Sequence, residues 1–187
     1  SPNLLSAEGN QICLECHGEE DYSKEVVHAV LKEEGCRECH LAHASAHDDL
    51  LTKPATALCI SCHESDAGDF QAAHGEYPVE EKSCTVCHNP HTSEQSKLLK
   101  ASAHDPMVGA ECEACHNSPD AADAFETSEA DAELCFGCHD ADDLAEGDFL
   151  AHGPFEEGAC FECHDPHASE QAALLVEAGN ELCFACH

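Results

Sequence analysis

Apolar positions along this chain never sustain a long periodic run. Proline, glycine, asparagine and aspartate recur every few residues and cut short both helical periodicity and strand alternation. What survives predicts short helices, one over Lys24–Glu33 and one over Ser169–Ala178 with Ser169 as its N-cap. A helical turn is also expected at each of several cysteine-rich pentapeptides. No strand pattern stands out and no linker divides the chain. The expected fold is a few short helices and mostly loops, with essentially no sheet, in a single repetitive domain over 1–187.

Such a pattern cannot supply a large side-chain core, and the composition says what replaces it. The 187 residues include 16 cysteines and 16 histidines, but no tryptophan, one methionine (Met107) and two tyrosines. A chain with so little apolar bulk needs disulfides, metals or a cofactor to fill its interior. Cysteine at this density reads as a scaffold and not as a cytosolic enzyme. The 39 acidic residues against 7 basic ones leave a net charge of −32, so no basic stripe exists to bind nucleic acid. No stretch has the apolar length of a membrane span. The start at Ser1-Pro2-Asn3, in place of Met, reads as a mature form whose secretory leader has been removed.

Every cysteine belongs to a C-x-x-C pair followed at once by histidine. The first two motifs are Cys13 and Cys16 with His17, and Cys36 and Cys39 with His40. Next come Cys59 and Cys62 with His63, Cys84 and Cys87 with His88, and Cys112 and Cys115 with His116. The last three are Cys135 and Cys138 with His139, Cys160 and Cys163 with His164, and Cys183 and Cys186 with His187. Three longer stretches, CRECHLAHASAHDDLL, CTVCHNPHTSEQSKLL and CFECHDPHASEQAALL, align without gaps. Each has a second histidine three positions after the motif histidine (His43, His91, His167), and each ends in a pair of leucines. His28, His74 and His152 precede them. Each stretch is followed by a second motif. The spacing thus gives doubled modules over about 28–63, 74–116 and 152–187, with single motifs at 13–17 and 135–139.

C-x-x-C-H is the attachment signature of c-type haem. Two thiols at this spacing reach the two vinyl groups of one porphyrin as thioethers, and the adjacent histidine turns under the ring to bind iron from one face. Zinc has no use for eight histidines at one fixed offset, and a disulfide framework needs none. The expected cofactor is haem c, eight groups, all covalent. Subtracting the eight motif histidines leaves eight more: His28, His43, His47, His74, His91, His104, His152 and His167. Eight second axial ligands for eight irons leave no open face, which favours electron transfer over catalysis. His164 and His167 stand too close along the chain to reach opposite faces of one haem, so the second must serve a neighbour and pack two porphyrins together. Met107 is the one thioether among the side chains and reads as packing. The phenylalanines of CFGCH, CFECH and CFACH are expected to pad the rings.

On these residues the sequence resembles a multihaem cytochrome c of the doubled C-x-x-C-H class. The matching residues are His74, Cys84–His88, Pro90, His91, Leu98, Leu99 and Cys112–His116, and again His152, Cys160–His164, Pro166, His167, Leu174, Leu175 and Cys183–His187. The first module departs, with Ala42 in place of the proline. The resemblance implies loops wrapped around a chain of stacked bis-histidine haems. It implies electron transfer in the periplasm or outside the cell, in some relatives as extracellular haem filaments. Expected partners are redox proteins or extracellular acceptors such as metal oxides, and further copies of the chain in head-to-tail haem contact. No histidine precedes His17 and nothing follows His187, so both are expected to take second ligands from elsewhere. Carboxylate clusters such as Asp140–Asp143 offer an alternative way to join copies, through cations. A periplasmic shuttle, or a multihaem reductase with one open iron, are the competing readings.

Overall fold

Each C-x-x-C-H motif is a turn, and the turns are of two kinds. In this computed structural model, which describes residues 6–140, 144 and 150–187, four motifs begin on a tight 3-10 turn. These are Cys36–Glu38, Cys84–Val86, Cys112–Ala114 and Cys160–Glu162. The other four are entered from a short α-helix: Gln11–Leu14, Ala55–Cys59, Asp131–Phe136 and Gly179–Phe184. In both kinds the N–H of the motif histidine donates to the carbonyl of the first cysteine, at 2.9–3.1 Å. One closed helical turn therefore carries both thiols and the imidazole, as expected from the spacing.

Two of the other expected helices are not formed as read. Residues 24–33 hold a strand, β1 (Val26–Val27), before a helix limited to Ala29–Glu33. β-branched valines fit a pleated surface better than a helix, and β1 pairs antiparallel with β2 (Thr92–Ser93). At 169–178 the chain forms β4 (Ala168–Ser169), paired with β3 (Ser102–Ala103), and then a tight turn over Ala172–Leu174. Ser169 caps no helix: its hydroxyl donates to the Leu175 carbonyl and accepts from the Gln171 N–H. The sheets the sequence did not announce are thus two-residue pairs, too short for alternation to register.

Contacts divide the chain into two compact units, Ser1–Phe70 with Val79–Ala101, and Gln71–Pro78 with Ser102–His187. Each contains four motifs and eight histidines. The first holds the β1–β2 pair and the second the β3–β4 pair. Among the described residues the buried apolar side chains are Tyr77, Ala124 and Ala168, and the buried polar ones Thr92, Ser93 and Ser169. Four of these six lie on β2 and β4, so what core the polypeptide has sits at the strand pairs. Phe136, Phe161 and Phe184, inside their motifs, all remain exposed. No described helix is long and apolar enough to cross a membrane.

Candidate metal centres

The leucine pairs have a geometric purpose. Asp49 and Leu50, Lys97 and Leu98, and Ala173 and Leu174 all adopt left-handed backbone, with φ between 53° and 59°. Two such residues in succession cost about 1–2 kcal/mol each outside glycine, so the surrounding bonds must over-determine the turn. They do. The second leucine forms a bridge with the motif histidine (His40 with Leu51, His88 with Leu99, His164 with Leu175). The turn also aims a carbonyl at the imidazole: Asp49 to His40 Nδ1 at 2.7 Å, Lys97 to His88 at 2.9 Å and Ala173 to His164 at 2.8 Å. A carbonyl only accepts, so each Nδ1 carries the proton and each Nε2 carries the lone pair, the tautomer that ligates a metal through Nε2.

His116 has the same bridge, to Thr127, but reaches it through a different loop. Its Nδ1 is buried without a hydrogen bond, and the rings of Tyr77 and Phe125 pack against it in place of a carbonyl. The fifth motif therefore behaves as the first member of a pair and not the second. The sequence spacing groups it with 74–116, whereas the geometry groups it with 135–139.

The spare histidines then fall into place across long chain separations. Five of them stand ring to ring with a motif histidine. His28 meets His63 at 6.1 Å between centroids, His91 meets His40 at 5.9 Å, and His104 meets His139 at 6.0 Å. His167 meets His116 at 5.7 Å and His152 meets His187 at 5.9 Å. In the His116–His167 pair the Nε2 atoms are 3.4 Å apart while the centroids are 5.7 Å apart, so the nitrogens lie between the ring centres and the rings meet tip to tip. An imidazole–metal bond is about 2 Å, so a metal ligated by both needs roughly 4 Å between nitrogens. The rings need part by only some tenths of an ångström. His187, expected to take its second ligand from elsewhere, stands ring to ring with His152 of the same unit.

Two of these pairs in each unit are coupled through a strand pair. His28 follows β1 and His91 precedes β2; the His28 N–H donates to the His91 carbonyl at 2.9 Å, and His28 Nδ1 to the Pro90 carbonyl at 3.0 Å. His104 follows β3 and His167 precedes β4, with the same two bonds to the His167 and Pro166 carbonyls at 2.9 and 3.0 Å. The Asn89 and Asp165 side chains accept from the N–H groups of His91 and His167 and hold the loops. We call this unit a clamp. One clamp sets a histidine ring to ring with the motif histidine of both members of a pair, 36–40 with 59–63, and 112–116 with 135–139. His104, which the sequence reading left outside the pattern, thus occupies the same place as His28.

Burial holds the His91 and His167 imidazoles below the usual histidine range, with neighbouring histidines adding to it and Asp165 opposing it at His167. Both are neutral at physiological pH, the form that ligates metal.

None of the 16 cysteines, expected from the sequence to carry thioethers, is joined to another in a disulfide. The second cysteine of every motif is placed by one backbone bond. The N–H groups of Cys16, Cys39, Cys62, Cys87, Cys115, Cys138, Cys163 and Cys186 each donate to the carbonyl of their first cysteine, at 3.1–3.3 Å. Exposure separates the two kinds of turn. Cys16, Cys62, Cys138 and Cys186, in the motifs entered from a helix, are exposed, whereas Cys39, Cys87, Cys115 and Cys163, on the 3-10 turns, are half-buried. First cysteines of consecutive motifs lie side by side, Cys13 with Cys36, Cys59 with Cys84, and Cys135 with Cys160; burial, reinforced by Cys84, pushes the Cys59 thiol up to about 11. Among the described residues no three His, Cys, Asp or Glu side chains converge as a closed cage. The donors come as opposed imidazole pairs beside paired thiols, with exposed phenylalanines next to them. That set fits haem c.

The remaining predicted residues are placed as follows. His17 touches the edge of Tyr22, which also touches His91, an aromatic bridge the sequence did not signal. His43 and His47 stand ring to ring with no other histidine among the described residues; His47 donates its N–H to Ser45, as Gln95 and Gln171 do to Ser93 and Ser169. His74 ends the helix Gly68–Ala73 and accepts from the Tyr77 N–H. Met107 lies in the helix Asp105–Val108. Residues 141–143 of the carboxylate cluster lie outside the described residues.

Four stretches, 28–68, 77–103, 104–144 and 152–187, match the family described as Doubled CXXCH motif, well over half of the chain. The third match runs across the pair that the geometry assembles. No curated protein matches the chain.

Proposed function

Because the chain belongs to the doubled CXXCH family of multihaem c-type cytochromes, we propose that it passes electrons along eight covalent, bis-histidine haem c groups as the subunit of an extracellular conductive filament. The motifs imply covalent haem c, and electron transfer is the activity they support. Haem iron supplies that chemistry by cycling between ferric and ferrous states with little change of ligation. The chain's own part is to hold it. The cysteine pairs would form the thioethers, the motif histidines would bind one face, with Nδ1 of His40, His88 and His164 held by a carbonyl, and the spare histidines would bind the other.

The observation that carries this reading is the set of five opposed imidazole pairs, each joining one motif histidine to one spare histidine. Side-by-side cysteines of consecutive motifs support close packing of neighbouring porphyrins, as a conduit needs. Intact mass after acid–acetone extraction should exceed the polypeptide by eight haems. The ferric spectrum of the assembled protein should be wholly low-spin; a high-spin fraction would favour a reductase. A bare-chain mass, or bound zinc, would end the reading.

Eight haems bring roughly sixteen propionate charges to a chain already at −32. Copies repel unless a specific contact joins them, and a head-to-tail contact is heterologous and propagates unless its rotation closes a ring. Light scattering at high protein concentration separates filament from shuttle. A monodisperse monomer there, with and without calcium, supports the periplasmic shuttle.

A further inference from the structure

The clamp occurs twice whole in this chain and once in two open halves. The acceptor half is a strand, a histidine and a motif pair at fixed offsets. His28, His104 and His152 all stand 12 residues before the first motif histidine of the pair and 35 before the second. Their backbones agree, with φ −56°, −72° and −70° and ψ 130°, 134° and 139°. In the third copy the strand position is Leu150–Ala151, which pairs with nothing among the described residues, and Leu150 is 99% exposed. Among the described residues His152 makes no Nδ1–carbonyl bond like those of His28 and His104, and His164 faces no second histidine, whereas its counterparts His40 and His116 do.

The donor half is a histidine three residues after the motif histidine, two strand residues, and a serine hydroxyl that locks the turn behind them. His91 and His167 begin the two closed examples. The third donor is His43-Ala44-Ser45. Ser45 makes the same bonds as Ser93 and Ser169, donating to Leu51 and accepting from His47. The conformation is therefore built, yet Ala44 is exposed where its counterparts Thr92 and Ala168 are 1% and 0% exposed. Each open half lacks what the other offers.

We propose that these halves close between two copies of the chain. Ala44–Ser45 of one copy pairs antiparallel with Leu150–Ala151 of the next, Ser45 opposite Leu150 and Ala44 opposite Ala151. That is the register of Ser93 opposite Val26 and Thr92 opposite Val27. The pairing sets the His43 imidazole against His164 of the second copy, and the Ala42 carbonyl against His152 Nδ1. An exposed strand edge is a template for this kind of addition. The inference rests on the haem-filament reading and gives that filament its joint: one subunit completes the iron site of the next.

Two variants of the full haem-loaded protein test it, at physiological ionic strength or above so that charge repulsion is screened. His43→Ala loses the donor and keeps the acceptor. Leu150→Pro keeps the donor and loses the acceptor, because alternation makes position 150 a hydrogen-bonded partner and proline has no N–H. Leu150 is fully exposed, so this change leaves the isolated chain's fold alone. Each variant by itself should stay monomeric with one more carbon-monoxide-binding haem per chain than assembled wild type. Mixed one to one, they should form a discrete dimer, since one good donor meets one good acceptor, and half of the gained carbon monoxide binding should vanish. Polymers from either variant alone, or no dimer from the mixture, overturn the proposal. So does a wild-type monomer with every iron face filled. Haem content and the low-spin spectrum of the other haems report separately on the underlying reading: if these fail, the cytochrome assignment fails with them; if they hold while the mixture stays monomeric, only the joint is wrong.

Discussion

Replacing His91 with alanine tests how the clamp divides its labour. His91 contributes two things in the structure: a ring 5.9 Å from that of His40, and a backbone carbonyl that holds the His28 N–H at 2.9 Å. His28 Nδ1 is held by the carbonyl of Pro90, again backbone. Alanine removes the ring and leaves both carbonyls, and the β1–β2 pair keeps its buried Thr92 and Ser93. One haem should therefore lose its second ligand and its clamp neighbour should keep one. With eight motifs per chain, this converts one eighth of the low-spin haem to a five-coordinate form. Carbon monoxide titration of the reduced protein should show one more equivalent per chain than wild type under the same conditions. His28→Ala should give one as well, at the haem on His63, and the double variant two. A gain of two from His91→Ala alone would refute the division, because ring loss would then have freed His28. No gain would show that His91 is not an iron ligand.

Other consequences can be measured alongside. Of the four haems on 3-10 turns, the one on His116 lacks the Nδ1–carbonyl bond that makes an imidazole more basic. Spectroelectrochemistry, with that haem identified by the signal lost in His167→Ala, should find it reduced before those on His40, His88 and His164; the reverse order would contradict the account. Ser169→Ala leaves the Leu175 carbonyl and Gln171 N–H without their partner in a buried place. It should cost about 2–4 kcal/mol in thermal or denaturant unfolding. Ser45→Ala, at the more open copy of the same turn, should cost about 1 kcal/mol in the dissociated chain, since water replaces the hydroxyl. Gly35 has φ +91° and a Cβ there would strike the Asn10 side chain that accepts from the Cys36 N–H. Gly35→Ala should therefore lose at least about 1–3 kcal/mol, while Gly68→Ala, with open space around it, should lose nothing.

The sequence by itself determined the chemistry. A C-x-x-C-H turn is closed by local hydrogen bonds, from the second cysteine and the histidine back to the first cysteine, so its geometry travels with the pentapeptide wherever it occurs. Eight such turns, eight spare histidines and too little apolar bulk for a core were enough to specify haem c and a loop-rich fold. The strands β1 to β4 were not legible, because two residues are too few for alternation and their stability comes from partners 65 to 67 positions away. Which histidine faces which motif was decided by tertiary structure for the same reason. His91 and His167 each lie 51 residues beyond the motif histidine they face. Local spacing assigned them to the modules that contain them; strand pairing carries each back to the preceding pair instead. The same rule explains His104, unremarkable in sequence because the residues around it share little with those around His28, yet fixed by the same pair of bonds to backbone carbonyls, one from its N–H and one from its ring. Ligand type is a property of the side chain and its immediate neighbours, and ligand pairing is a property of where two distant strands meet.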